Sequence, residues 1–363
     1  MSIYLDYNAT SPIREEAKEK MLEVMGPPIN SSSVHSFGRK AKSYLQNARS
    51  EVAKLVNADL DQVIFTSGGT EANCMIMQLS NSPLVSAIEH DAVMASSSNL
   101  NLINVNSDGI VDLEMLEATI KKTNTDMISV MWANNETGVI QPMTEIIKIA
   151  KKYKIYIHCD AVQALGKIDL DFKSSGLNSM AISSHKIGGP VGVGALILKD
   201  PFDVNPIILG GGQEKGHRSG TENLIGIVGF GVAASLISKD SKNYVMRDIG
   251  VRQKQFENYL KDNLKDIKIF GENAQRLPNT SCIYMPNLSA DAQVIALDLK
   301  GFAISAGSAC SSGKVKSSHV LKAMGAEWAS NNSIRVSSGW QNNKNDLEKL
   351  AHSYIELYKR SNK

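Results

Sequence analysis

One lysine amid glycines is the first residue in this chain that could do covalent chemistry. Lys186 stands in Ser183-Ser-His-Lys-Ile-Gly-Gly-Pro-Val-Gly-Val-Gly194, after a short β-rich run. A lysine there can form a Schiff base with an aldehyde cofactor, and the glycines let backbone approach closely and turn into the next strand. By itself Lys-Ile-Gly-Gly reads as an exposed loop lysine; its neighbours along the chain argue otherwise. Earlier, His158-Cys-Asp-Ala-Val-Gln163 puts Asp160 at the end of another strand pattern. A carboxylate in that place can face the ring nitrogen of pyridoxal phosphate and keep it protonated, so that the ring accepts electrons from a substrate carbanion. Gln163 can then hydrogen-bond the phenolic oxygen. Taken alone, an Asp after a strand is more often a helix cap. Thr66-Ser-Gly-Gly-Thr-Glu-Ala-Asn73 is a glycine turn between a strand and a helix. It would place Gly69 and Thr70 at a helix N-terminus, where backbone N–H groups can hold phosphate. A plain strand-to-helix turn has the same letters. His90, just after Ala87-Ile-Glu89, can stack on a flat ring or serve as a structural histidine.

Four cysteines stand at 74, 159, 282 and 310, with no CxxC among them. That spacing argues against a zinc module or a disulfide framework and suits a reducing compartment. Cys310 lies in a small, polar setting, Ser308-Ala-Cys-Ser-Ser-Gly313, with Lys314 and Lys316 close by. Such a setting suits an exposed thiol whose thiolate is favoured by positive charge. Cys74, Cys159 and Cys282 fall in apolar helix or strand patterns and read as core. Arg335, in Ser333-Ile-Arg-Val-Ser-Ser-Gly339, offers paired donors in a fixed plane for a substrate carboxylate; a surface arginine on an edge strand is the plainer reading.

Elements able to position these residues are visible in the hydrophobic pattern. From about Asp61 to Lys199, strand patterns at 63–66, 84–88, 127–131, 155–159, 179–182 and 194–198 alternate with helical stretches such as 112–122 and 143–153. Alternation of this kind predicts βαβ units and a mostly parallel sheet covered by helices, with ligands beyond the carboxyl ends of the strands. After Lys199 a glycine-dense loop, Leu209 to Thr221, leads into a small-residue helix from near Glu222, and a long amphipathic helix follows from about Val245 to Leu264. The remainder reads as α+β, with strands at 268–270, 281–284 and 333–337 and helices at 291–300 and 346–359. The 363 residues favour two domains, expected here as 11–242 for the large one and 1–10 with 243–363 for the smaller. Lys plus Arg number 39 against 37 acidic residues, so no global charge excess favours nucleic acid or an acidic membrane surface. No apolar run reaches the length of a membrane helix and the start lacks a signal-peptide pattern, so a cytoplasmic protein is expected.

Together the motifs resemble the cysteine desulfurases of the class V aminotransferase family, over nearly the whole chain. The matching segments are Tyr4-Leu-Asp-Tyr-Asn-Ala-Thr10, Ser33-Val-His-Ser-Phe-Gly-Arg39, Asn134-Asn-Glu-Thr-Gly138, the lysine segment, Arg218-Ser-Gly-Thr-Glu-Asn223 and Ser305-Ala-Gly-Ser-Ala-Cys-Ser-Ser312, in the family's order. The resemblance implies fold type I, an α/β architecture with a mostly parallel large-domain sheet, helices on both faces and a smaller α+β domain. It implies Lys186 as the Schiff-base lysine, Asp160 as the pyridinium partner and His90 as the stacking, catalytic imidazole. Asn135 and Gln163 become ligands of cofactor or substrate, and Arg335 the carboxylate fork. Gly69, Thr70, Ser183 and His185 would hold the phosphate of pyridoxal phosphate, with Thr221 reaching it from the other subunit of a homodimer. Cys310 becomes the nucleophile that takes sulfur from L-cysteine, releasing alanine and passing the sulfur to an acceptor protein such as an iron–sulfur scaffold or a tRNA-thiolation protein. No metal site is implied. The 25 positions from Cys310 to Arg335 match the longer-loop subgroup. Two features depart from the family: His217 stands where an arginine is frequent, and a long partner-binding tail is not expected after the final helix. A selenocysteine lyase shares the chemistry, whereas another class V enzyme such as a transaminase would have no use for Cys310.

Overall fold

Apolar runs between Val63 and Leu198 build a seven-stranded sheet. The structure, a computed structural model, describes residues 2–97, 99–200, 204–239, 244–307 and 317–362. Its strands are β1 (Ile3–Tyr4), β2 (Val63–Thr66), β3 (Pro83–Ser86), β4 (Asn101–Ile103), β5 (Met127–Ser129), β6 (Tyr156–Asp160), β7 (Ser179–Ser183), β8 (Gly194–Leu198), β9 (Lys268–Phe270), β10 (Thr280–Tyr284), β11 (Phe302–Ala303), β12 (Ser305–Ala306) and β13 (Ser333–Ser337). The large sheet has the order β2-β8-β7-β6-β5-β3-β4, parallel from β7 to β4, with β8 antiparallel to both its neighbours. Two reversals cancel, so β2 points the same way as β7. The carboxyl ends of β2, β3, β5, β6 and β7 therefore share one edge, where an α/β sheet binds its ligands.

Burial on both faces explains why these strands are nearly all apolar. Along β2, Val63 and Phe65 join one apolar cluster while Ile64 joins another; Ala195 and Ile197 part from Leu196 and Leu198 in the same way along β8. Helix Gly69–Met77 covers the Ile64 face with Ala72, Met75, Ile76 and Met77. Helix Met143–Tyr153 covers the other with Met143, Ile146, Ile147 and Ala150, at the three- and four-residue spacing of one helical stripe. Helices Ser36–Leu55 and Leu224–Lys239 meet at small residues on that same side: a Cβ added to Gly231 would lie 2.5 Å from the Cα of Ala48. The second helix begins at Leu224 rather than Glu222 because the Asn223 side chain accepts the Gly226 N–H at 3.2 Å, as an N-cap does.

A separate antiparallel sheet, β12-β13-β10-β9, packs with helices Tyr244–Asn263, Ala290–Asp298 and Lys344–Ser361. Phe256, Leu260, Leu297, Leu347, Leu350 and Tyr354 form its apolar centre, and Leu5 is buried with them. The first residues thus fold with the last: β1 pairs with β11, and Leu5 and Tyr7 exchange backbone hydrogen bonds with Ser337 at 2.8 and 3.0 Å. Phe270, Leu277 and Cys282 join the cluster of the large sheet instead, tying the two sheets together. The α/β class and mostly parallel sheet agree with expectation. Strand β4 was not expected, since it is a short edge strand whose Leu102 is exposed and whose letters carry no alternation. Among the described residues no single helix is long and apolar enough to cross a membrane.

Candidate active site

A cavity of about 310 Å³ is lined by the residues that follow those aligned strand ends. From β6 come Asp160 and Gln163, from the end of β7 Ser183, His185 and Lys186, from beyond β5 Asn135, from beyond β3 His90, and from beyond β2 Gly69 and Thr70. The sequence scatters these residues over more than a hundred positions; the parallel register gathers them.

Asp160 is buried and accepts from Asn73 Nδ2 at 2.6 Å and from the Val162 N–H at 2.9 Å, one bond on each oxygen. Behind it, His158 Nε2 meets Asn73 Oδ1 at 2.9 Å and its Nδ1 meets Ser179 Oγ at 2.8 Å. Burial pushes His158 down to about 3, so the imidazole is neutral at physiological pH. Since Asn73 turns its NH2 to Asp160, its oxygen must face a donor, which places the His158 proton on Nε2. Burial, then the charge of Asp160, pushes the Glu89 carboxyl well up and favours its uncharged form. Asn73 and His158 lie inside segments read for other residues, and nothing in their types or spacing marks them.

Lys186 Nζ donates to the carbonyls of Asn8 and Ala9 at 2.5 and 2.8 Å. Burial, followed by the Arg335 guanidinium, pushes this amine down to about 8, against the opposing pull of Asp6 and Asp160. At pH 7 about a tenth of such amines are uncharged, against roughly one in three thousand at the ordinary lysine value. His185, with Nδ1 3.1 Å from Thr10 Oγ1, is pushed down to about 4 by burial and then by Lys186. His90 is exposed, and its Nδ1 accepts the Ala92 N–H at 3.0 Å, leaving the proton on Nε2. Capping and a place on the cavity wall are thus compatible. No side chain caps helix Gly69–Met77, and its first N–H groups lack helical partners by geometry. A Cβ on Gly69 would lie 2.6 Å from Val162 Cγ2.

Gln163 does not have a free amide: its Nε2 donates to the Asn8 carbonyl at 2.9 Å and its Oε1 accepts from Lys167 Nζ at 2.8 Å. Arg335 is buried on β13, with Nη2 on Asp6 Oδ1 at 2.7 Å and Nη1 on the Asn135 carbonyl at 3.1 Å. It touches the cavity through Asn135 rather than lining it, and its Nε has no hydrogen-bond partner among the described residues. Thr221 is exposed and lies off the cavity wall of its own chain. Cys310 lies outside the described residues. On either side of it the chain returns to Glu136, beside Asn135: Ser318 Oγ donates to Glu136 Oε2 at 2.6 Å, and a Cβ on Gly307 would lie 2.8 Å from that oxygen. Of the other cysteines, Cys159 and Cys282 are buried and their thiols pushed up by that burial. Cys74 is only half-buried, correcting its reading as core; its Sγ points toward the Ala92 carbonyl at 3.9 Å, across to the short helix Asp91–Met94.

Residues 3–350 match the class-V aminotransferases. The chain belongs to the class-V aminotransferase family. It is 37% identical over 362 residues to the cysteine desulfurase IscS of Dictyoglomus turgidum, covering 95% of this chain and 91% of that protein. A NifS-like protein from Rickettsia africae superposes with a TM-score of 0.92 at 38% identity, over 99% of this chain and all of that one (100%). SspA, solved in complex with cysteine, gives a TM-score of 0.80 at 27% identity, over 93% of this chain and 99% of that chain. The α/β fold with its mostly parallel central sheet is that of the NifS-like proteins.

Proposed function

We propose that the chain is a pyridoxal-phosphate-dependent cysteine desulfurase that converts L-cysteine to L-alanine and takes the sulfur onto Cys310. The observation that carries this reading is the meeting of Lys186 and Asp160 on one cavity wall, in a chain similar to cysteine desulfurases over nearly its full length. The donor set fits the cofactor: a lysine with a lowered pKa, a fixed carboxylate, a flat exposed imidazole and an uncapped helix N-terminus whose glycine lets backbone come close. Pyridoxal phosphate, when bound, supplies an aldehyde carbon for an amine and a conjugated ring that takes up the electron pair released at the substrate α-carbon.

In this reading Gly69, Thr70, Ser183 and His185 hold the phosphate, joined by Thr221 from a second copy of the chain. Asp160 keeps the ring nitrogen protonated, His90 covers the ring, and Asn135 and Gln163 orient it and the substrate. Lys186 attaches the cofactor and then moves the α-proton at Nζ, a task suited to an amine titrating near neutrality. Arg335 binds the substrate carboxylate by exchanging its bond to Asp6. Cys310 Sγ bonds to the substrate sulfur as the sulfur–carbon bond breaks, so that L-cysteine plus thiol gives alanine plus persulfide with all atoms conserved. A sulfur-acceptor protein in the cytoplasm, of the iron–sulfur scaffold or tRNA-thiolation kind, then takes the persulfide sulfur. Incubation with pyridoxal phosphate, L-cysteine and a thiol reductant tests the reading: sulfide and alanine are expected in equal amounts. Production of a keto acid without sulfide, or turnover of selenocysteine alone, would replace it with another family activity.

A further inference from the structure

The mechanism leaves one buried titratable group without a task. Lys167 is 5% exposed, yet no carboxylate among the described residues pairs with it, and the charges that bear on it are the like charges of Lys186 and Arg335. Lysine is almost never buried this fully without an acidic partner. Its Nζ instead donates to Asn8 Oδ1 at 2.7 Å and to Gln163 Oε1 at 2.8 Å. Gln163 Nε2 in turn donates to the Asn8 backbone carbonyl at 2.9 Å, which closes a ring of three residues through the Asn8 main chain, and that same carbonyl accepts from Lys186 Nζ at 2.5 Å. Asn8 is itself 2% exposed and pinned on its other side, its Nδ2 donating to the Asn135 carbonyl at 3.1 Å and to Thr280 Oγ1 at 2.9 Å.

We propose that Lys167 is a positioning residue that sets the amide of Gln163, so that its NH2 rather than its oxygen is offered to the cofactor. An ammonium has donors and no acceptor, and an amide has one of each at its two ends. With Lys167 donating, the Gln163 oxygen must turn toward it and the NH2 toward Asn8 and the cavity. When Lys186 leaves the Asn8 carbonyl to attach the cofactor, the Gln163 NH2 keeps its orientation and meets the negatively charged ring oxygen with a donor. An amide turned the other way would meet that oxygen with a second acceptor, a repulsive contact. Burial, then the two neighbouring cations, pushes the Lys167 amine well down; a neutral amine could also accept, but with the Gln163 NH2 held on the Asn8 carbonyl at 2.9 Å and both Lys167 N–H bonds directed at oxygens, the Gln163 oxygen stays the end that faces Lys167.

The proposal rests on the pyridoxal-phosphate reading, and the two fail separately. The measurement is the pH midpoint of the absorbance of the bound cofactor, which reports the charge balance at the ring oxygen. Wild-type protein that takes up no pyridoxal phosphate overturns the cofactor reading itself. With cofactor bound, Gln163→Leu is expected to raise that midpoint, because a donor to the anionic oxygen is lost. Lys167→Met should raise it in the same direction, and the double variant should move it no further than Gln163→Leu alone. Lys167→Gln, which retains a donor, should show at most half of the shift seen on losing the donor, and Lys167→Leu supplies that reference if the methionine variant does not fold. Independent, additive shifts, or a wild-type midpoint in Lys167→Met or in a Lys167→Leu control, would overturn the positioning role.

Discussion

Lys186 and Asp160 sit at the carboxyl ends of neighbouring strands β7 and β6, and their different environments divide the labour between them. The carboxylate has both oxygens committed to donors, whereas burial and Arg335 make the amine easier to deprotonate. Attachment of pyridoxal phosphate to the apoprotein should therefore accelerate as pH rises through about 8, and Lys186→Ala should abolish the borohydride-stable linkage. The same shift has a sign in stability. The folded value lies below the ordinary 10.5, so between about 8 and 10.5 the unfolded chain binds more protons and apoprotein stability rises with pH. Urea midpoints at pH 8 and pH 10 should show that rise in wild type and a smaller one in Lys186→Met. Cys310→Ala is expected to keep the yellow cofactor and lose sulfide release by on the order of 100-fold or more. Cys159→Ala and Cys282→Ala should keep turnover, because both thiols are packed away from solvent. Motifs pointed to Lys186 and Asp160, which the fold brings to one cavity, since each has a recognisable local setting; Cys310 lies outside the described residues. Asn73 and His158 touch residues distant in the chain, and Lys167 joins a neighbour four residues away to the distant Asn8; no local pattern records those long contacts.

Strand and helix boundaries follow the hydrophobic period closely where burial is two-sided, as in β2, β8 and helix Met143–Tyr153, each found over the expected residues. Burial of both faces leaves little freedom in where such elements begin. Exposed edges behave differently: β4 and the two-residue strands β1 and β11 exist through their partners and have no period to read. Where a side chain caps a helix, it sets the start. Asp112 accepts the Met115 N–H at 2.9 Å, which starts helix Leu113–Lys122 one residue after the expected Asp112. Asp112→Ala should cost about 1 kcal/mol by chemical denaturation. Gly231→Ala is expected to cost more, about 1–3 kcal/mol, because its new Cβ has backbone rather than a pliable side chain to displace. A neutral effect there would mean that the two long helices can part without loss.

The glycine-dense loop joins the cavity to the question of how many chains make one site. Its Glu214 is buried with Arg49 in a two-pronged ion pair, at 2.8 and 2.6 Å, and also accepts the Phe65 N–H at 2.9 Å. Glu214 and Lys215 both have left-handed backbone, with φ of 45° and 59°, a strain that the ion pair holds in place. The loop so fixed leaves Thr221 exposed and off its own cavity. In a symmetric dimer each site would combine Lys186 of one chain with Thr221 of the other. Two single lesions can then be separated by mixing. Lys186→Ala and Thr221→Glu homodimers should each be inactive, the first without an attachment point and the second by repulsion of phosphate. After subunit exchange, a mixed dimer has one site with both lesions and one with neither. Random exchange makes half the dimers mixed, so activity should return to about a quarter of wild type. If Thr221 served its own chain, every site would retain one lesion and mixing would restore nothing. Light scattering at micromolar concentration, with a dimer expected, makes the two outcomes comparable.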